Sequence, residues 1–373
     1  MPIRLIVVLL LFCCTRASAQ IVQVKLNDGE VLTGQLVLPT STSQISKLVF
    51  FVHSTGPHTY ADHRKSGNTE FNYFDLFAHE FSSRGIAFFS YSRRGVYPSE
   101  SPPYYDSIDR KKYSRYLPSI EANDIVLAIN QLLKDKRLKK AKVILLGWSE
   151  GSILAPMVAE LKKAKVDALV LAGYANDNMI DLIKWQNSGE SSMINIKGYF
   201  DTNDDSQISR LEYESDSKSA KAFRTQVFQN AKFESLDLNR DSTINQDDFR
   251  IINKPRLDAI LSAFDRGDDE WIWKNYFRVT SLWLNEHKLL EPNSVRLPKL
   301  SIPIYIVHGA LDANCPAAGV FEIRKQFESL GKRNLNTYVL PNHDHDLNYR
   351  DWVTKQKLSA GIEKIFELVQ QID

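Results

Sequence analysis

The chain has 373 residues, 43% hydrophobic and 25% charged, with 47 lysines and arginines against 45 acids. A chain of this length can bury a large core, and nothing in its near-neutral balance points to a nucleic-acid or membrane-surface partner. Residues 1–19 read as a leader: Arg4, an apolar run from Leu5 to Phe12 too short to span a bilayer, and an Ala17-Ser18-Ala19 cleavage signal.

Removing that leader makes Gln20 the first residue. Arg4 and Arg16 leave with it, so bases and acids come to 45 each. Cys13 and Cys14 leave too, and neither follows the small residue that lipobox processing needs. Cys315 is then the one remaining thiol, and no intramolecular disulfide can form. The expectation is an exported protein, periplasmic or secreted, with no membrane span.

Ile21 to Lys25 and Val31 to Leu38 alternate as strands do around Asn27-Asp28-Gly29, which predicts an opening hairpin. Leu48 to Val52 is continuously apolar, the pattern of a strand covered on both faces. A helical pattern from Phe74 to Ser82 precedes a strand at Ile86 to Phe89. Glu121 to Leu133 places Ile125, Ile129, Leu132 and Leu133 on one helical face and leads into the strand Val143 to Leu146. A helix over Ile153 to Leu161 and strands at Val166 to Leu171, Pro303 to Val307 and Asn336 to Leu340 complete the series. Such alternation predicts an α/β fold, a mostly parallel sheet with helices on both faces. Residues 176–295 break the pattern. They are helical, acidic at first and later aromatic at Trp271, Trp273, Tyr276, Phe277 and Trp283, so they read as a cap inserted into one domain formed by 20–175 and 296–373.

Between strand and helix lies Gly147-Trp148-Ser149-Glu150-Gly151. A tight strand-to-helix turn there exposes the Ser149 hydroxyl, and the glycines let the backbone pass close to its neighbours. A serine is a poor nucleophile until a histidine takes its proton, a carboxylate orients that histidine, and backbone donors receive the oxyanion. Asp312 follows the strand ending at Val307 and is the candidate acid. His343 and His345 both follow the last strand, and either could be the base. His58, His63, His79 and His287 lie in a polar loop, on a helix or in the insertion and are less suited. The turn His53-Ser54-Thr55-Gly56 makes the Thr55 N–H one oxyanion donor, with the Glu150 N–H as the second and His53 as a buttress.

The order Ser149, Asp312, histidine resembles the α/β-hydrolase superfamily over residues 20–175 and 296–373. Gly147 to Gly151 with Ala155-Pro156 is similar to the elbow of bacterial serine aminopeptidase-like and acyl-thioesterase-like hydrolases. Arg93-Arg94-Gly95-Val96 with Ser99 resembles their D-x-R-G-x-G-x-S turn, with Ser92 for the usual Asp and Tyr97 for Gly. Their terminal P-x-x-x-H pattern matches Pro341 to His345, so the resemblance implies His345 as the base. Ser54 and Ser152 stand where glycine is common in that family.

The insertion carries a second pattern. Asp201, Asn203, Asp205, Ser209 and Glu212 place oxygens at positions 1, 3, 5, 9 and 12 of a loop over 201–212, with the Gln207 carbonyl at position 7. Asp237, Asn239, Asp241, Thr243, Asn245 and Asp248 repeat it over 237–248. Calcium takes six to eight such oxygens, so up to two structural calcium ions are expected. The arrangement resembles a paired EF-hand, in which Ile208 and Ile244 would meet in a short ladder. Ser206 and Ser242 replace the usual turn glycine, and Asp248 is a shorter closing ligand than Glu212, which predicts a weaker second site.

Together these features predict an exported serine hydrolase with a calcium-ordered lid, cleaving a carboxylic ester, with a peptide or thioester as the alternative on the same triad. The competing class is a non-catalytic calcium-binding module on a hydrolase scaffold.

Overall fold

The computed structural model of the protein describes residues 18–40, 44–99 and 106–373. The expected leader lies outside the described residues up to residue 17, and Ser18 and Ala19 begin the first strand. Eight strands share one sheet: β1 (Ser18–Lys25), β2 (Val31–Leu38), β3 (Lys47–Val52), β4 (Ala87–Tyr91), β5 (Lys142–Trp148), β6 (Ala168–Ala172), β7 (Ile304–Gly309) and β8 (Leu335–Leu340). Their order across the sheet is β1-β2-β4-β3-β5-β6-β7-β8. β2 pairs antiparallel with β1 and β4, and every other pairing is parallel. Two short antiparallel strand pairs, His63–Ser66 with Thr69–Asn72 and Val96–Pro98 with Asp106–Ile108, lie outside it.

The helices named below are α1 (Tyr73–Ser83), α2 (Pro118–Leu132), α3 (Gly151–Leu161), α4 (Met179–Gln186), α5 (Gly189–Phe200), α6 (Gln246–Arg266), α7 (Ser281–His287), α8 (Ala318–Ser329) and α9 (Ala360–Gln371). The continuous apolar strands follow from two-sided burial. Leu48, Phe50 and Val52 join Ile125, Ile129 and Leu154 of α2 and α3, while Val49 and Phe51 join Phe74, Phe77 and Phe366 of α1 and α9. Each such side chain contributes about 1.5–3 kcal/mol by leaving water.

The insertion, expected as one unit, packs as two. Met193, Phe200, Ile208, Tyr213, Ile244 and Phe249 form a separate small core around the two acidic loops. Ile260, Phe264, Ile272, Trp283 and Leu284 belong to the main core beside α2 and α3. Helical periodicity shows that a face is buried but not what it is buried against, so the sequence could not divide these parts. Among the described residues, no helix is long and apolar enough to cross a membrane.

Strand β3 has β4 on one side and β5 on the other, so the crossovers diverge there and leave a crevice at the carboxyl ends of the strands. The loops after β3, β5, β7 and β8 carry Thr55, Ser149, Asp312 and His345 to that edge.

Candidate active site

The turn at Ser149 works because of its two glycines. A Cβ on Gly151 would stand 2.1 Å from the Val52 carbonyl oxygen, and one on Gly147 would stand 2.3 Å from the Gly151 carbonyl oxygen. Only glycine permits these approaches. Ser149 itself has φ of 55°, a left-handed conformation uncommon for a residue with a side chain, and its N–H donates to the Ala172 carbonyl at 2.9 Å. The Cys315 thiol lines the same cavity as Ser149, and burial holds it well above the ordinary thiol range, so it stays neutral.

The candidate acid and the candidate base come from interlocked loops. Leu311 N–H donates to the His343 carbonyl at 2.9 Å, and Ala310 N–H donates to the Leu340 carbonyl at 2.8 Å. Asp312 is buried, and its Oδ1 accepts from the Asn314 and Cys315 N–H groups, each at 2.8 Å. Its Oδ2 stands 2.8 Å from His345 Nδ1. Burial opposes the charged imidazole, but Asp312 outweighs it, and His345 is lifted to about 9. Gly173, with φ of 53°, makes room for that ring, since a Cβ there would meet His345 Cε1 at 2.7 Å. His343 faces away: its Nδ1 donates to the Pro341 carbonyl at 2.7 Å and its Nε2 accepts from the Gly361 N–H at 3.1 Å.

Peptide planarity orients the two candidate oxyanion donors, the Thr55 and Glu150 N–H groups. Arg93 Nη1 donates to the Ser54 carbonyl at 2.5 Å and also to the Gly56 carbonyl, and Nη2 reaches the His53 carbonyl at 3.3 Å. With the Ser54 carbonyl turned onto Arg93, the Thr55 N–H of the same trans peptide points the opposite way. Likewise the Ser149 carbonyl accepts from Ser152 N–H at 2.8 Å, so the Glu150 N–H projects from the amino end of α3. His53 Nε2 donates to the Tyr91 carbonyl at 2.6 Å and braces the turn.

Ser149, Thr55, Glu150, Cys315 and His345 line one cavity of about 270 Å³. Its apolar walls include Phe51, Phe74 and Trp148 from the sheet domain and Met179, Leu182, Tyr276 and Phe277 from the insertion. Of the five aromatics singled out in the insertion, Tyr276 and Phe277 reach this cavity and Trp283 is fully buried. Sequence reasoning missed three contributors. Arg93 was visible in its Arg-Gly turn, but nothing local showed that its guanidinium fastens three carbonyls of another loop. Gly173 had no motif around it. His58, set aside as a loop residue, lies between Ser54 Oγ (3.1 Å) and Asp62 Oδ1 (3.2 Å) on the cavity wall.

The two acidic loops are built alike. Asp201 accepts from the Asp205 and Ser206 N–H groups at 3.2 and 2.9 Å, and Asp237 accepts from those of Asp241 and Ser242 at 3.1 and 3.2 Å. Asn203 and Asn239 accept from the N–H groups of Asp205 and Asp241, and Asp205 and Asp241 from those of Gln207 and Thr243. The closing residues Glu212 and Asp248 accept from the Ser209 and Asn245 N–H groups, both at 2.9 Å. Ile208 pairs with Ile244 in an antiparallel ladder between the loops. Carboxylate oxygens of Asp237, Asp241 and Asp248 lie within 4.8 Å of one another. This all-oxygen donor set suits a hard cation. The helix entering the first loop rests on the acid loop, with Ser191 Oγ donating to the Ala313 carbonyl at 2.7 Å.

No protein-family model matches the chain, and no curated protein sequence matches it. Solved structures do match. They include an acylaminoacyl peptidase from Pyrococcus horikoshii (12% identity, TM-score 0.50, covering 95% of this chain and 41% of that one). A highly thermostable carboxyl esterase from Bacillus coagulans matches at 14% identity and TM-score 0.51, over 95% of this chain and 99% of that one. A lipase in its open form matches at 11% identity and TM-score 0.50, over 95% and 100%. This chain therefore spans well under half the length of the peptidase and nearly all of the other two. The likeness shows the fold: a mixed sheet in the α/β-hydrolase arrangement.

Proposed function

We propose that this chain is an exported serine hydrolase that cleaves a carboxylic ester through an acyl-enzyme. The observation that carries this reading is the 2.8 Å pairing of Asp312 with His345 beside a left-handed Ser149 on one cavity. Ser149 Oγ attacks the acyl carbon while His345 takes its proton, and Asp312 holds the imidazole in the required tautomer. The carbonyl oxygen becomes an oxyanion received by the Thr55 and Glu150 N–H groups. His345 then returns the proton to the leaving alcohol, and water repeats the sequence to release the acid.

Esters come first because Phe74, Trp148, Met179, Leu182 and Phe277 give the cavity an apolar wall that suits an acyl chain, beside a polar wall of His58, Asp62, Arg64 and Asp346; a peptide or thioester could be cleaved by the same groups. The esterase, lipase and peptidase among the fold neighbours support acyl chemistry without choosing between these substrates. In this reading Asp201, Asn203, Asp205, Gln207, Ser209 and Glu212 hold one calcium, and Asp237, Asn239, Asp241, Thr243, Asn245 and Asp248 a second. Calcium supplies order to the insertion and takes no part in the chemistry. A panel of p-nitrophenyl acyl esters, acyl thioesters and aminoacyl anilides tests the assignment. Turnover of the esters, lost in Ser149→Ala, is expected; turnover of the anilides alone would replace the ester reading with a peptidase.

A further inference from the structure

The residue after the nucleophile is held from the insertion. Glu150 is buried, and its carboxylate is held by side chains of α7 together with Tyr116 and Arg93. Its Oε1 accepts from Trp283 Nε1 and His287 Nε2, each at 2.8 Å. Its Oε2 accepts from the Tyr116 hydroxyl, with Arg93 Nη2 at 3.7 Å. Burial alone would raise this acid, but His287, then Arg93 and Tyr116, outweigh it and hold Glu150 at about 2. An ionised carboxylate only accepts, so both ring nitrogens facing it carry hydrogen.

The two donors are themselves fixed. The Trp283 and His287 rings meet edge to face with centroids 4.6 Å apart. Helix α7 is capped by Thr280 Oγ1, which accepts from the Trp283 N–H at 3.3 Å, and Asp269 Oδ1 accepts from the Ser281 N–H at 2.6 Å. Glu286 Oε1 accepts from the Ser119 N–H at 2.6 Å and joins α7 to the start of α2.

We propose that Trp283 and His287 are positioning residues for the oxyanion hole. They clamp the Glu150 side chain and thereby fix the peptide N–H that follows Ser149. The inference rests on the serine-hydrolase reading and goes beyond it: the insertion is a working part of the oxyanion hole as well as a cover. Arg93 completes the device, because the guanidinium that approaches Glu150 also turns the Thr55 peptide. One buried cluster therefore sets both donors. An oxyanion donor is used chiefly in the transition state, so loosening one lowers kcat and spares KM. Removing a donor outright costs about 10²–10³-fold, and loosening one should cost less, on the order of tenfold.

Trp283→Phe keeps an aromatic ring in the core and removes the indole N–H; His287→Gln keeps a donor. With a p-nitrophenyl ester, Trp283→Phe is expected to lower kcat about tenfold with KM within about twofold. Affinity for a trifluoromethyl ketone analogue should fall by the same factor. In a Glu150→Ala background, Trp283→Phe should change kcat less than about twofold, because its route is gone. His287→Ala should lose kcat and His287→Gln should recover most of it. An unchanged kcat and ketone affinity in folded Trp283→Phe would overturn the proposal, as would a rise in KM alone, the mark of a loosened cover. If Trp283→Phe fails to fold, the His287→Gln and His287→Ala comparison decides by the same readouts. Turnover surviving in Ser149→Ala is a separate result that would remove the hydrolase reading itself.

Discussion

His345 Nδ1 lies 2.8 Å from Asp312 Oδ2, and in the proposed hydrolase that pairing sets the pH at which the site can work. The base must be neutral to take a proton from Ser149, and Asp312 lifts His345 to about 9, so the imidazole is mostly protonated at neutral pH. The kcat/KM of ester hydrolysis is expected to rise about tenfold per pH unit and level off near 9. The linked stability has the opposite sense: the pairing contributes fully below the ordinary imidazole value of about 6.5 and is lost as pH rises through about 9. In Asp312→Asn the limb should move to lower pH while kcat falls roughly 10⁴-fold. A limb that stays in place would assign it to another group. A pH–rate series on both proteins makes the comparison.

The two histidines of the last loop should separate cleanly. His345→Ala is expected to lose nearly all ester turnover. His343→Ala removes bonds to the Pro341 carbonyl and the Gly361 N–H, so it should cost about 0.5–1.5 kcal/mol of stability and leave most turnover. Denaturant unfolding and initial rates on the two variants check both halves.

Gly151→Ala is a severe test of the elbow. Its Cβ would fall 2.1 Å from the Val52 oxygen and 2.8 Å from that of His53, so β3 and the oxyanion turn must move. Overpacking of this kind costs about 1–3 kcal/mol, and activity should fall further than stability because Thr55 shifts with the strand. A Tm measured beside kcat shows whether the two separate.

The acidic loops predict a gain. Ser206 and Ser242 occupy the turn position with φ of 63° and 73°, where a side chain costs about 1–2 kcal/mol relative to glycine. Ser242→Gly should therefore tighten calcium binding at the second loop, read by calorimetric titration. Calcium should raise Tm in the wild type, and EDTA should reverse it. No heat of binding at millimolar calcium would remove the ion from the account.

Much of this was legible in the sequence because the relevant signals are local. The elbow glycines, the strand runs of β3 and β5 and the two repeated acid spacings depend on neighbours within a dozen residues. The periodic pattern placed α2 over Glu121 to Leu133, near its observed span Pro118–Leu132. What escaped were long-range relationships. Neither Arg93 on the carbonyls of residues 53–56 nor Trp283 and His287 on Glu150 leaves a trace in spacing, because chain folding alone brings those partners together. His287 was passed over for that reason: an insertion histidine looks remote until its ring is seen bonded to Glu150 at the start of α3. His343 and His345 could not be told apart by position, since two residues separate opposite outcomes on one loop.

The central claim is that Ser149 is an activated nucleophile, and intact-mass spectrometry after treatment with a fluorophosphonate measures that directly. The account predicts one phosphonyl adduct, mapped to Ser149 by peptide sequencing, absent from Ser149→Ala and strongly slowed in His345→Ala. A folded protein that takes up no adduct, or an adduct that persists in Ser149→Ala, would contradict it.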